Sequence, residues 1–236
     1  MRKYLKNFMK ILLFIPTLGT IPTEMFSFIK KIKTKHEIQI LTTSRLLIHC
    51  ARNLAVEKTI EGGFDYLLFL DDDNPPEDTN FIDVMVETNR DIVTWVVRLR
   101  NRQEDLNITK AIPQDGLLKY ENYKSAPKNL IEVWSCWSGC VLIKREVLEK
   151  VIEEHPRPFE SKYTWYIKTK NWYKELQPKV FGREEILFWE NGGLILKWRE
   201  LSEDFLFFER VKELWYKIFC NPKIKCRHLV NSFLTV

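Results

Sequence analysis

Three consecutive aspartates, Asp71, Asp72 and Asp73, directly follow the apolar run FDYLLFL at positions 64–70. A run of this length and composition predicts a buried strand, and open α/β sheets bind ligands at the carboxyl ends of their strands. Three adjacent carboxylates repel one another, so a positive group must offset the cost of bringing them together. Mg²⁺ or Mn²⁺ does this, and such an ion would in turn hold phosphates. The alternative is a solvated acidic turn before the next helix.

A second pair of acids, Glu203 and Asp204, follows Ser202 in the later part of the chain. Ser202 is a favoured N-cap, so both acids fall in the first turn of a predicted helix, where the helix dipole favours negative charge. A carboxylate in this position is suited to take a proton from an attacking hydroxyl group. Ordinary capping chemistry explains the same residues without catalysis, so both interpretations stay open here.

The elements that must position these acids alternate between strand and helix. Strands are predicted at 10–15, 37–41, 64–70 and 91–97, and the helices between them start at Thr23, at Ser44 and at Asp78 or Thr79. This order predicts an α/β fold with a mainly parallel, twisted sheet and helices on both faces.

The second half of the chain is less regular. Residues from Arg98 to Leu130 show no clear periodicity and predict an irregular insertion, and the elements of the aromatic stretch from Phe159 to Trp198 are not assigned. The remaining predicted elements are strands at 131–134, 140–143 and 224–230 and helices at 145–153 and 203–216. No domain boundary is evident, so we expect a single domain over residues 1–236.

Six segments resemble, in the same order, segments of the GT-A-fold glycosyltransferases, especially the family 2-like members. They are FIPTLGTIPTE, SRLLIHCARNLAV, DYLLFLDDDNPP, SGCVLIKREVLEKV, SEDFLFFERV and KIKCRHL. The third looks like the DxD motif of that family, the fifth looks like its ED-type catalytic motif, and the last is similar to a strand that supplies a metal-binding histidine. The resemblance implies a GT-A (Rossmann-like) fold, with a nucleotide-sugar-binding half at about 1–98 and an acceptor and catalytic half at about 99–236.

The resemblance implies that a nucleotide-sugar donor is bound after the first strand, on the second helix and at the acidic turn. The residues concerned are Pro16, Thr17, Gly19, Arg52, Asn53, Asp71, Asp72 and Gly139. The first three would border the base, Arg52 would approach the diphosphate, and Gly139 belongs to the segment that lines the donor sugar. An arginine on a helix is otherwise usually a surface ion-pair partner, so the role of Arg52 stays open.

The resemblance also implies that Asp71, Asp73 and His228 hold Mn²⁺ or Mg²⁺ and that Asp204 is the general base, with Glu203 beside it. Simple packing explains a histidine next to an arginine equally well. The implied activity is an inverting, metal-dependent hexosyl or N-acetylhexosaminyl transfer. UDP-sugars are the first choice of donor and GDP-mannose the second, and the acceptor is a glycan, a lipid-linked group or a protein.

Two other functions stay open. A nucleotidyltransferase also uses paired acids and Mg²⁺ on an α/β sheet, but such enzymes commonly carry a glycine-rich, basic loop after the first strand. The segment TLGTIPTE has one glycine and no lysine or arginine. The other alternative is a non-catalytic module that binds glycan or nucleic acid on the same fold, and a nucleic-acid acceptor also stays open. No P-loop sequence is present, which argues against ATP hydrolysis of that type.

Composition sets further limits. The net charge of +5 over 236 residues is weaker than a dedicated DNA-binding protein usually shows. The apolar run from Ile11 to Ile15 is too short for a signal peptide, and no run has the length of a membrane span. These features predict a cytoplasmic protein. Peripheral contact with the inner face of a membrane, through the cations and aromatics between Lys162 and Lys174, is an alternative.

The five cysteines are odd in number and match no common zinc pattern. We therefore expect buried, reduced thiols, with a Cys220–Cys226 disulfide left open.

Overall fold

A computed structural model describes residues 8–99, 102–114, 117–159, 166–169, 172–175, 182–190, 193–226 and 229. Its helices are α1 (Thr23–Ile29), α2 (Ile48–Glu61), α3 (Phe81–Glu87), α4 (Arg145–Glu154) and α5 (Glu203–Glu213). Its strands are β1 (Lys10–Thr17), β2 (Glu37–Ser44), β3 (Tyr66–Leu70), β4 (Ile92–Val96), β5 (Arg98–Leu99), β6 (Arg102–Leu106), β7 (Ile108–Gln114), β8 (Leu117–Asn122), β9 (Ile131–Val133), β10 (Ser135–Cys136), β11 (Cys140–Lys144), β12 (Tyr166–Thr169), β13 (Trp172–Glu175), β14 (Gly182–Glu190), β15 (Gly193–Leu201) and β16 (Ile218–Lys225).

The central sheet has seven strands in the order β2-β1-β3-β11-β4-β16-β9. Strands β2, β1, β3, β4 and β16 run parallel, whereas β11 and β9 run antiparallel to their neighbours. The predicted α/β fold with a mainly parallel sheet is therefore confirmed. Strand β3, which carries the acidic turn at its end, lies inside the sheet between β1 and β11.

The core lies on both faces of this sheet, because successive strand residues point to opposite sides. On β1, Leu12 and Phe14 pack with buried residues of α2, α4 and α5, whereas Leu13 and Ile15 pack with residues of α1 and α3. Burying each of these side chains contributes roughly 1.5–3 kcal/mol. Helices thus cover both faces, as the sequence predicts, and α2 and α5 share one of them.

The segment from Arg98 to Leu130 is not an irregular insertion, so that prediction was wrong. It forms β5 to β8, of which β5 pairs with β6, and the hairpin of β7 and β8 pairs with β10 in a separate small sheet. These strands are short and carry many polar residues. They are held by backbone pairing and a few buried side chains such as Leu106 and Ile108, so they lack the apolar alternation by which a strand is recognised.

Several element boundaries also differ from the prediction. Ser44 does not cap α2 but ends β2, and α2 begins at Ile48 after Leu47, which makes no capping side-chain hydrogen bond. Nor do the side chains of Thr23, Asp78 or Thr79 cap a helix, because Pro22 precedes α1 and Asn80 precedes α3. Ser202, by contrast, is confirmed as the N-cap of α5, since its hydroxyl accepts a hydrogen bond from the Phe205 amide at 3.5 Å.

The predicted strand at 224–230 was placed too late. Strand β16 spans Ile218–Lys225, and its pairing with β4 is irregular between Cys220 and Lys225. This irregularity accommodates Pro222, which cannot donate a backbone hydrogen bond to the neighbouring strand. Helix α5 ends at Glu213 rather than near Tyr216, because Trp215 adopts a positive φ of 64°.

The aromatic stretch after Phe159 contains two hairpins, in which β12 pairs with β13 and β14 pairs with β15. Of the cations and aromatics between Lys162 and Lys174, Lys162, Tyr163, Trp165 and Lys170 lie outside the described residues. None of the described helices is both long and apolar enough to cross a membrane.

All five cysteines are free thiols, so Cys220 and Cys226 form no bridge.

Candidate active site

The acidic turn is held against the start of β11. The Asp71 amide donates a hydrogen bond to the Gly139 carbonyl at 2.8 Å, and the Asn74 amide closes the turn onto the Asp71 carbonyl at 3.3 Å. A Cβ atom at Gly139 would lie 1.9 Å from an Asp71 carboxylate oxygen, so any side chain there would displace this carboxylate. Gly139 therefore lies beside the acidic turn because only glycine allows so close an approach.

Arg52 pairs with both acids at the start of α5. Because α2 and α5 cover the same face of the sheet, Arg52 on α2 meets the first turn of α5. Its Nη1 atom donates to Glu203 Oε1 at 2.6 Å and also to Asp204 Oδ1. All three residues are buried. One guanidinium balances the charge of only one of the two carboxylates, and loss of Arg52 would leave both buried acids without a counter-ion.

The charges of this network perturb one another. Burial raises the pKa of Asp71 to about 6; Arg52 opposes the rise, whereas Asp204 and the adjacent Asp73 add to it. Burial, together with repulsion from Asp204, also raises the pKa of Glu203 to about 7, again against the attraction of Arg52. Burial disfavours the charged form of Arg52, but Asp204 and Glu203 outweigh it and raise the Arg52 pKa. A carboxyl group whose pKa lies near neutrality is well suited to proton transfer.

A cavity of about 600 Å³ opens at the acidic turn. Asp71, Asp73 and Asn74 form one part of its wall, and Phe205, the residue after Asp204, belongs to another. The remaining lining residues are Val97, Arg98, Leu99, Arg102, Asn107, Tyr120, Asn122, Trp137, Gly139 and Cys140. A concave space of this size beside perturbed carboxyl groups is what a small-molecule site requires.

Asn107 holds this wall of the cavity together. Its amide oxygen accepts from the Val97 amide at 2.8 Å, its amide nitrogen donates to the Trp95 carbonyl at 3.0 Å, and its carbonyl accepts from the Trp137 amide at 3.0 Å. The segment between β6 and β7 is thereby fixed to the end of β4. The outer strands thus form a rigid side of the cavity rather than a free loop.

The predicted base-binding residues lie one strand away from the acidic turn. Pro16 and Thr17 end β1 and pair with Thr43 and Ser44 of β2, so they share the carboxyl edge of the sheet with Asp71. Gly19 follows in an exposed loop, with open space where a side chain would extend.

Asn53 lies elsewhere. Its amide oxygen accepts from the Phe159 amide at 3.1 Å, and it lines a second cavity of about 500 Å³ beside α2 and α4. The structure does not bring Asn53 together with the acidic turn. Its neighbour Arg52 turns inward to the acids because adjacent helical residues point in different directions.

The predicted metal ligands are described in part. Asp72 and Asp73 are half-buried, and the Asp73 carbonyl accepts from the Leu229 amide at 2.7 Å. His228 lies outside the described residues. Within the described ranges, no three His, Cys, Asp or Glu side chains group as a metal site.

The residues present nevertheless fit a Mg²⁺ or Mn²⁺ ion. The amide oxygen of Asn74 is buried and has no hydrogen-bond partner among the described residues, and it belongs to a residue of the same cavity wall as Asp71 and Asp73. Mg²⁺ is commonly held by one or two carboxylates, with waters and substrate phosphates as its other ligands.

Sequence reasoning missed most of the outer cavity wall, namely Arg98, Arg102, Tyr120, Asn122 and Trp137. Tyr120 and Asn122 are two residues apart on β8, so they share one face of that strand. Recognition of β8 as a strand would have grouped them. Asn74, which directly follows the three aspartates and has a buried amide oxygen, was also missed.

Comparison with solved structures identifies a protein of similar overall fold. The chain is similar to the crystal structure of A197 from STIV, with a TM-score of 0.58 and 22% identity over 94% of this chain and 87% of that one. The two proteins share a fold. No family model matches the chain, and the search of curated proteins finds no significant match.

Two further structures are more distant. A mannose-1-phosphate geranyltransferase from Thermus thermophilus matches with a TM-score of 0.37 and 14% identity over 62% of this chain and 60% of that one. An apo UDP-glucose pyrophosphorylase matches with a TM-score of 0.38 and 6% identity over 82% of this chain and 58% of that one. By their names, the first acts on mannose 1-phosphate and the second on UDP-glucose. Similarity at this level carries no argument about activity.

Proposed function

We propose that this protein is a transferase that acts on a nucleotide sugar, and that its reaction moves the sugar to an acceptor. The observation that carries this proposal is the acidic turn after β3, which lines one cavity together with Phe205, next to the acids of α5. The proposed metal-binding carboxylates Asp71 and Asp73 thus border this cavity, and the candidate base Asp204 directly precedes the lining residue Phe205. A group transfer from a diphosphate needs both functions in one site.

The donor would lie along the carboxyl edge of β1 and β3. Pro16, Thr17 and Gly19 would border the base, Asp72 and Gly139 would lie near the sugar, and Asp71 and Asp73 would hold Mn²⁺ or Mg²⁺. When bound, the ion would neutralise charge on the diphosphate leaving group. The assignment of His228 as a further ligand is part of the proposal.

Asp204 is the proposed general base. The hydrogen bond from Arg52 fixes its carboxylate at the start of α5 and offsets its negative charge. Glu203 accepts from the same guanidinium nitrogen and would share the proton that an acceptor hydroxyl loses. Proton uptake by this pair would weaken its hold on Arg52, which would then be drawn towards the negative charge that develops on the diphosphate.

Nucleotidyl transfer is the second candidate, because the same paired acids would serve it. The loop after β1, however, offers no lysine or arginine to hold a triphosphate between Thr17 and Glu24. The two reactions are told apart by their products. Sugar transfer to an acceptor, or slow hydrolysis of the donor, releases nucleoside diphosphate. A nucleotidyltransferase that is given pyrophosphate instead converts the same donor to nucleoside triphosphate and sugar 1-phosphate.

The experiment is therefore a product analysis with UDP-sugars and GDP-mannose, with Mn²⁺, in the presence and absence of pyrophosphate. We expect UDP or GDP to form without pyrophosphate, and the rate to fall at least roughly 100-fold in Asp204→Asn. Glu213→Gln, an exposed acid at the other end of α5, is the matched control and should retain the rate. Formation of nucleoside triphosphate only when pyrophosphate is present would replace the proposal by the second candidate.

A further inference from the structure

The cavity has two chemically different sides. Its acidic part carries Asp71 and Asp73, and its other charged lining residues are both arginines, Arg98 and Arg102. The wall also includes the rings of Tyr120, Trp137 and Phe205. A neutral sugar needs no cationic side chains, so the two arginines favour a ligand that carries a negative charge.

The order of the sheet separates these sides. The acidic turn and the loop after β1 end neighbouring strands, whereas Arg98 follows β4, which lies beyond β11 from β3. The arginines therefore stand on the side of the cavity away from the strand that would border the donor base. This is the side on which a second substrate would enter.

Arg102 is available to a ligand. Its side chain is 72% exposed, and its contact with Asp105 is long, at 4.0 Å. Asp105 also accepts a hydrogen bond from Lys124, so its charge is shared between two cations. A guanidinium so weakly held keeps donors for a phosphate or carboxylate, which it can bind in a bidentate manner.

The aromatic rings supply a surface for a sugar. Trp137 is 43% exposed although it lies next to the buried Ser138. The rings of Tyr120 and Phe205 are 5.3 Å apart, and the Tyr120 hydroxyl donates to Glu209, which also accepts from Trp134 at 2.7 Å. The Tyr120 ring is thus fixed in place, with the neighbour of Asp204 packed against it. An exposed, positioned aromatic wall is suited to an apolar sugar face.

From this arrangement we infer that the acceptor is a saccharide that carries an anionic group, a phosphate or a carboxylate. The inference rests on the proposed function. Arg98 and Arg102 hold the anionic group, and Trp137 contacts the sugar ring. The opposite end of the saccharide, with its free hydroxyl, then points towards Asp204.

The test measures binding to the whole chain, saturated with UDP or GDP and Mn²⁺, by calorimetry. The probes are glucose 6-phosphate, methyl glucuronide, neutral methyl glucoside, inorganic phosphate and phosphatidylglycerol vesicles. We expect both anionic sugars to bind at least tenfold more tightly than the neutral sugar and than inorganic phosphate. In Arg98→Ala/Arg102→Ala this preference should disappear, while nucleotide binding stays within twofold of wild type.

The matched control is Lys110→Ala/Lys119→Ala. It removes the same charge from β7 and β8, but these lysines pair with Glu121 and do not line the cavity. Equal losses in the two double variants, or equal binding of charged and neutral sugars by wild type, would overturn the inference. So would loss of nucleotide binding in the arginine variant, which would assign these residues to the donor.

Three further outcomes distinguish failure of the proposed function from failure of the acceptor inference. Absence of nucleotide binding in wild type would contradict the proposed function itself. Tight binding of inorganic phosphate alone would leave an anion site without a saccharide, and preferential binding to phosphatidylglycerol vesicles would assign the arginines to a lipid surface. Each of these also overturns the anionic-saccharide inference.

Discussion

The buried network around Arg52 and the open wall around Arg102 use arginine in opposite ways. Arg52 is 4% exposed and is bound to two carboxylates of the same molecule, whereas the Arg102 side chain is 72% exposed and loosely held. A charge removed from water must find its partners within the fold, so Arg52 is part of the stability of the protein. A charge at an open cavity keeps its hydration until a ligand replaces it, so Arg102 is free to serve binding.

The largest effect is expected from Arg52→Ala. The substitution leaves Glu203 and Asp204 buried without their counter-ion and should lower the free energy of unfolding by about 3–5 kcal/mol. Chemical denaturation measures this loss. The control is Lys58→Ala on the same helix, whose pair with Glu61 at 2.7 Å is exposed and screened by water, so its loss should hardly change the unfolding midpoint. Similar effects of the two substitutions would contradict the contrast between buried and exposed cations.

The pH dependence of stability sharpens the same contrast. The folded-state pKa of Glu203 is raised to about 7 from an ordinary value of 4.5. The stability that protonated Glu203 contributes to the fold is therefore fully present below pH 4.5. It is lost as the pH rises through about 7 and the buried carboxyl group ionises. Glu203→Gln should remove this loss, so the variant should be more stable than wild type above about pH 7. Denaturation of metal-free protein between about pH 5 and 8 measures the difference.

Asp71 retains its own raised pKa in that variant, so some pH dependence should remain below about pH 6. The control, Glu213→Gln, removes a carboxyl group from the exposed end of the same helix and should keep the wild-type slope. If Glu203→Gln also kept the wild-type slope, the claim that burial and repulsion from Asp204 raise the pKa of Glu203 would be refuted.

A smaller effect is expected from Gly139→Ala. The added methyl group would overlap the Asp71 carboxylate and move it, which should weaken Mn²⁺-dependent nucleotide binding at least tenfold, or by about 1.4 kcal/mol. The neighbouring Ser138→Ala removes a buried hydroxyl group that has no hydrogen-bond partner among the described residues, and it is the control. Unchanged nucleotide affinity in Gly139→Ala would separate Asp71 from the metal and donor site.

The elements of the central sheet that carry the acidic turn, and the start of α5, were predicted well because each has a local signal in the sequence. The apolar strands β1 and β3, the acidic turn after β3 and the Ser202 cap are each visible in a few consecutive residues. The partnership of Arg52 with Glu203 and Asp204 was not predicted, since it depends on two helices that are far apart in sequence but share a sheet face. The outer wall was missed for another reason: β5 to β8 have polar faces, so hydrophobic periodicity does not reveal them.

The central claim is that the acidic turn binds a nucleotide through a divalent cation. Calorimetric titration of UDP, GDP and ADP, with and without Mn²⁺, tests it directly on wild type, Asp73→Ala and the exposed loop control Asp78→Ala. We predict Mn²⁺-dependent binding of UDP or GDP that Asp73→Ala abolishes and Asp78→Ala retains. A folded wild-type protein that binds none of these nucleotides in the presence of Mn²⁺ would contradict the claim.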